Sequence, residues 1–157
     1  MRLWRLSSLR RSADFTGGYG LLYSGRWNTS GRPVTYCATV PSLAALEKRV
    51  HVKDPALLPA QVMVEYEAPD DLPTRTVELS ALSPDWSLKE VETQQVGDRW
   101  LDAISEVLLI VPSVIVPLVS AVDRNVLINH RHARASEIRV TSSTPFSLDP
   151  RLFRATE

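Results

Sequence analysis

Arg26, Tyr36, Glu47 and Ser113 are the residues of this chain whose types and settings could do chemistry together. Arg26 lies in Ser24-Gly25-Arg26-Trp27-Asn28-Thr29-Ser30-Gly31-Arg32-Pro33, where Gly25 and Gly31 let the backbone bend sharply and approach a ligand. A guanidinium held there offers a planar fork of donors suited to a phosphate or pyrophosphate. The plainer alternative is a surface turn, with Trp27 plugging the core and Arg26 in solvent. Tyr36 follows within Val34-Thr35-Tyr36-Cys37-Ala38, and Glu47 comes one helix later. That order could set a cation, an aromatic face and an anion around one dinucleotide-sized hollow. The plainer reading of Glu47 is an exposed helix-edge carboxylate. Ser113 ends an apolar run between Pro112 and Pro117, where its hydroxyl either satisfies a backbone group or meets a ligand.

Other chemistries are excluded by what is missing. No Gly-x-Ser-x-Gly elbow surrounds Ser113 and no histidine is tied to it as a base, so a serine-hydrolase arrangement is set aside. His130 and His132 have no third ligand at a helical or hairpin spacing, which favours a structural role over a metal site. His51 reads as a packed helix-end residue. A dinucleotide, if bound, is not held by a Rossmann turn, because no Gly-x-Gly-x-x-Gly or phosphate-loop pattern occurs. Cys37 is the one cysteine, so an internal disulfide is ruled out and a cytoplasmic setting fits. Eighteen basic and eighteen acidic residues cancel, which argues against bulk electrostatic binding of nucleic acid. The same balance gives little repulsion between molecules, so a partner or self-association is expected.

The elements that must position these residues follow from periodicity. Arg2-Leu3-Trp4-Arg5-Leu6 alternates as a half-buried strand, leaving open whether Trp4 or Arg5 faces inward. Gly17-Gly18-Tyr19-Gly20 reads as a loop. Val34–Ala38 is a β-branched and aromatic strand, and Pro41-Ser42 opens a helix in which Leu43, Leu46 and Val50 form a stripe with Glu47 beside it. Gln61 to Ala68 alternates cleanly as a strand, and Asp70-Asp71 is a turn. Residues 96–105 read as a loop entering a helix, with Asp98 a candidate N-cap. Val107–Val111 is a continuous apolar run expected as a buried central strand, and too short and proline-broken beyond that to span a bilayer. Val126–Ile128 and Ile138–Thr141 are two further strands. About six short strands interleaved with two or three helices define an α+β, or mixed α/β, class, in one domain spanning residues 1–157.

Taken in order, these segments resemble the RES-domain toxins, a family named for a shared arginine, glutamate and serine. Leu3-Trp4-Arg5-Leu6 is similar to the family's first strand, and the run from Ser24 through Tyr36 to Ala38 is similar to its central signature. Leu43-Ala44-Ala45-Leu46-Glu47 with His51, then Val111-Pro112-Ser113, then Asn125 to Asn129 with His132, and Asp149 to Phe153 complete the likeness. One departure is Asn129-His130-Arg131-His132-Ala133, where the family commonly has Asn-Pro-x-His-Pro; losing two prolines should loosen that loop. The resemblance implies a split, mixed sheet like that of ADP-ribosyltransferases, with NAD⁺ as substrate and no further cofactor or metal. It implies a type II toxin–antitoxin system in which the toxin depletes NAD⁺ by cleaving the nicotinamide–ribose bond, as a glycohydrolase or phosphorylase. The alternatives are a mono-ADP-ribosyltransferase acting on a protein and a non-catalytic module that titrates a regulator. The implied partner is an Xre-like helix-turn-helix antitoxin, through which alone DNA is met; membranes play no part, and a homodimer within the complex is an option. Glu47, Tyr36 and Arg26 are the expected catalytic set. Ser113, Arg5, Trp27, Asn28 and Asn125 are expected at the substrate, with Arg5 as a second phosphate contact.

Overall fold

In the computed structural model of the protein, which describes residues 1–153, that patterning resolves into seven strands and three α-helices. The strands are β1 (Arg2–Ser8), β2 (Val34–Ala38), β3 (Gln61–Glu67), β4 (Thr74–Thr76), β5 (Leu108–Pro112), β6 (Arg124–Asn129) and β7 (Arg139–Phe146). They form one sheet in the order β4-β5-β6-β2-β1-β3-β7. Only β4 and β5 run parallel; the other neighbours are antiparallel. The sheet is split between β1 and β2, which meet through the single pair Trp4↔Ala38. This is the mixed α+β, split-sheet architecture expected.

Register decides which residues share a face, because side chains alternate with period two. Tyr36 pairs Leu127, Ala38 pairs Asn125, and Asn125 in turn pairs Val111. One face therefore carries Trp4, Leu6, Tyr36, Ala38, Asn125, Leu127, Leu109 and Val111. The opposite face carries Leu3, Val64, Tyr66, Cys37, Val126 and Ile128, a wholly apolar cluster apart from the Tyr66 hydroxyl. Cys37 is buried within it, and desolvation pushes its thiol up to about 12, so it is an inert core group.

Two helices cover the first face. Pro41 occupies the first turn of α2 (Pro41–His51), where its missing N–H costs nothing, and Lys48, Arg49 and His51 sit in the last turn, where the helix dipole favours cations. Leu43 and Ala44 of α2 pack on Leu6, Ala38 and Met63. The second cover is α3 (Glu90–Ala103), whose Trp100 and Leu101 pack with Trp27, Leu109 and Leu127. Trp27 and Trp100 are each 1% exposed, and such rings bury roughly 150–250 Å² apiece, so they dominate this half of the core.

The structure corrects several sequence expectations. Gly17 is left-handed, with φ of 73°, but Gly18–Leu22 goes on to form the short helix α1. Helix α3 begins eight residues before Asp98, which therefore lies in mid-helix and is no N-cap. Strand β5 lies one place from the edge, since the exposed strand β4, unseen in the sequence, flanks it. His51 is exposed, not packed. The 129–133 loop is held without its prolines: Asn129 Nδ2 donates to the carbonyl of Leu101 at 3.0 Å, its Oδ1 accepts from Arg131 N at 3.0 Å, and His132 Nδ1 accepts from Arg134 N at 3.1 Å. Among the described residues no helix is long and apolar enough to cross a membrane, and no group of three potential metal ligands is gathered.

Candidate active site

A hydrogen-bonded carboxylate is the first element of the site. Asn125 shares the Tyr36 face of the sheet, and Ser113 follows one residue beyond the end of β5. Glu47, on the α2 side turned to the sheet, accepts from Asn125 Nδ2 at 2.6 Å and from Ser113 Oγ at 3.0 Å, both at Oε1. Ser113 is 0% exposed, and its Oγ also accepts from Ile115 N at 3.0 Å. Its hydroxyl therefore satisfies a backbone group, one of the two roles the sequence left open, and it also holds the Glu47 carboxylate. Glu47 itself is half-buried, with Oε2 bound by neither residue.

Tyr36 and the Arg26 turn form the second element. Gly25 and Asn28 face each other in a tight bridge, Gly25 N donating to Asn28 O at 2.9 Å, with Arg26 and Trp27 at its tip. The Tyr36 hydroxyl donates to Asn28 Oδ1 at 2.7 Å and accepts from Trp27 N at 3.0 Å. A Cβ on Gly25 would come within 2.8 Å of that hydroxyl, which is why only glycine fits there. Burial holds the phenol above its ordinary pKa, against the opposing pull of the Trp27 N–H, so Tyr36 stays neutral. With its hydroxyl occupied, what Tyr36 can offer a ligand is the face of its ring. Asn28 is likewise saturated, its Nδ2 donating to Tyr23 O and Thr29 O, and Trp27 is a core plug; both hold the turn.

Arg26 is different. It is half-buried, and its Nη1 is enclosed without any hydrogen-bond partner. A buried guanidinium nitrogen left unpaired is costly in a finished structure, and Arg124 Nη1 shares that state. The turn that carries it is backed by α3. Asp98 accepts from Thr29 N at 2.9 Å and Thr29 Oγ1 at 2.7 Å, and Arg32 pairs with Asp98 at 3.3 Å and Asp102 at 2.8 Å. Gly97 lets the two approach: a Cβ there would lie 1.7 Å from the Trp27 carbonyl oxygen. Sequence reasoning missed this contribution because α3 was read as starting later. It also missed Arg124, whose Nε and Nη2 hold the carbonyls of Ala121 and Val119 and so fix the connection between Ser113 and Asn125.

Arg26, Tyr36, Glu47, Ser113 and Asn125 are thus brought to one side of the sheet. Arg5 is not. Alternation sets it with Leu3 and Ser7 on the other face of β1, where its Nη1 donates to the carbonyl of Asp14 at 2.9 Å. The expected hollow also differs from expectation. Two surface hollows, about 330 Å³ beside Leu58, Phe146 and Phe153 and about 430 Å³ beside Phe15, His130 and Ser136, contain none of these five residues.

Comparison with known proteins bears on the fold and the family. The architecture matches a toxin–antitoxin complex of M. tuberculosis, MbcT–MbcA, with a TM-score of 0.74 over 97% of this chain and 86% of that one, at 18% identity. That likeness shows a shared fold. Residues 2–149 match the RES domain, and the chain belongs to that family. Among its relatives are Toxin Res of Pseudomonas putida, 42% identical over 98% of this chain and 100% of the relative. Another is the Prs ADP-ribosylating toxin of a Sphingobium species, 31% identical over 96% of each.

Proposed function

We propose that this chain is the toxin of a toxin–antitoxin pair and acts by cleaving the nicotinamide–ribose bond of NAD⁺, with water or phosphate as acceptor. The observation that carries the reading is the Glu47 carboxylate, fixed through one oxygen by Asn125 and Ser113 while its other oxygen is bound by neither. Breaking that glycosidic bond builds positive charge on the ribose, as in other glycosyl transfers. A carboxylate already oriented stabilises this charge without reorganising during the step, so it favours the transition state over the ground state. Tyr36 stacks its ring on the nicotinamide–ribose end. Arg26 takes the pyrophosphate through its half-buried guanidinium. Ser113 and Asn125 act on Glu47, and NAD⁺ is substrate, with no further cofactor in the reaction.

An Xre-like antitoxin is the proposed partner, and the MbcT–MbcA likeness supports a complex of that kind. DNA contact then belongs to the antitoxin, consistent with the zero formal charge of this chain. Such a pair works in the cytoplasm, where NAD⁺ is found. The name of the Sphingobium relative favours one second reading, transfer of ADP-ribose to a protein. The two share the bond broken and differ in acceptor. Purified protein incubated with NAD⁺ should release nicotinamide, and Glu47→Gln should lower the rate by roughly 100-fold or more with the fold retained. Full activity in Glu47→Gln removes that residue from the mechanism. Stoichiometric ADP-ribose on cellular proteins without bulk NAD⁺ loss decides for the second reading.

A further inference from the structure

We infer that Gln94 and Thr93 of α3 are positioning residues for the anion-binding arginine, because they turn the two carbonyls flanking Arg26 away from the substrate. This rests on the proposed NAD⁺-cleaving function and deepens it. Gln94 Nε2 donates to the carbonyl of Gly25 at 3.0 Å, and Thr93 Oγ1 lies 2.6 Å from the carbonyl of Arg26. Both peptide oxygens on either side of the guanidinium are therefore committed to the helix. Were the turn to rock the other way, their partial negative charge would stand where a pyrophosphate must come, and the electrostatic gain from Arg26 would be offset. Thr93 is 0% exposed, and its Oγ1 also lies 2.9 Å from the carbonyl of Glu90, one turn back on the helix. Gly97, one turn further on, gives the turn room to lie this close.

The carboxylate is held by entirely separate elements, Ser113 after β5 and Asn125 on β6. Loosening the Arg26 turn should therefore weaken substrate binding and spare the chemical step. Gln94 is half-buried, and alanine is the better helix former, so Gln94→Ala keeps α3 intact. One neutral hydrogen bond of about 1 kcal/mol corresponds to about a five-fold change. Gln94→Ala should raise the KM for NAD⁺ about five-fold with kcat unchanged. The Ki of ADP-ribose, which carries the pyrophosphate, should rise by the same factor, and the Ki of nicotinamide, which lacks it, should not move. Thr93→Val should act in the same direction and Thr93→Ser should restore the parent values. A Gln94→Ala enzyme with unchanged KM and ADP-ribose Ki, or one whose kcat falls instead, overturns the inference while leaving the NAD⁺ reading intact. Absence of nicotinamide release by the parent protein overturns both.

Discussion

The side-chain amide of Asn125 donates to Glu47 Oε1 at 2.6 Å, joining β6 to α2 across 78 positions of sequence. The bond spans the space between a rigid strand and the helix that must carry the carboxylate, so it fixes the rotamer of Glu47 and not merely its backbone. Replacing Asn125 with alanine leaves Ser113 as the sole side-chain donor found on that oxygen. In the proposed reaction kcat should fall about ten-fold or more, because the carboxylate must then find its orientation during the step. The KM should change little, since Asn125 is spent on Glu47. Steady-state nicotinamide release checks both numbers, and a variant with intact kcat would detach Asn125 from the chemistry.

Ser113 couples activity to stability. Its hydroxyl donates to Glu47 at 3.0 Å and accepts from the buried-side N–H of Ile115 at 3.0 Å. Ser113→Ala removes both at once and leaves an amide donor without its partner in the turn after β5. Urea titration should show a loss of about 1–3 kcal/mol, and nicotinamide release at a temperature where the variant is folded should be depressed as well. Stability unchanged within about 0.5 kcal/mol would mean that water replaces the hydroxyl without penalty.

Much of this site could be read in the sequence because its strongest pieces are local. Val34–Ala38 declares a strand by β-branching, and Pro41 declares the start of α2. What could not be read depended on register and on unusual burial. Alternation in β1 left Trp4 and Arg5 as equals; the pairing Arg5↔Val64 is what sends Arg5 to the far face. The early part of helix α3 escaped because its buried positions are Thr93 and Gly97, which make no apolar stripe. A glycine and a threonine face inward there to admit another backbone, a reason invisible until the Arg26 turn is seen against them. The Tyr36 hydroxyl pins that turn, a use its place in a strand did not announce.

Gly97→Ala tests that close approach directly. In an ordinary exposed helix the change would stabilise by about 1 kcal/mol. Here the added Cβ would sit 1.7 Å from the Trp27 carbonyl oxygen and 2.8 Å from its carbon, backbone atoms that cannot rotate away. The steric term wins, and either α3 or the Arg26 turn must shift. We expect a loss of about 1–3 kcal/mol in urea unfolding, in line with other overpacked sites, together with a raised KM for NAD⁺. A more stable Gly97→Ala protein would show that helix and turn are looser than their contact implies.

His130 should give the fold an acid-sensitive limb that has nothing to do with catalysis. Its ring packs edge-on against Phe15 at 4.8 Å between centroids, and its Nε2 is 2.8 Å from Thr35 Oγ1. Burial, assisted by the nearby Arg5 charge and opposed by Asp14, pushes its pKa down from 6.5 to about 4. Above pH 6.5 the ring is neutral in both folded and unfolded chains and contributes no pH dependence. Between 6.5 and about 4 the unfolded chain takes up the proton and the folded one does not, so stability falls as pH falls. A displacement of that size corresponds to a loss of about 3 kcal/mol by pH 4. Asp14, whose carboxyl is held below its usual value first by the Thr16 hydroxyl, adds a loss of the same sign at lower pH. Urea midpoints measured from pH 7.5 to 4.5 should therefore decline steadily in the parent protein and much less in His130→Gln, which keeps a polar group opposite Thr35 but cannot titrate. Parallel declines in the two proteins would assign the acid limb to the carboxylates alone.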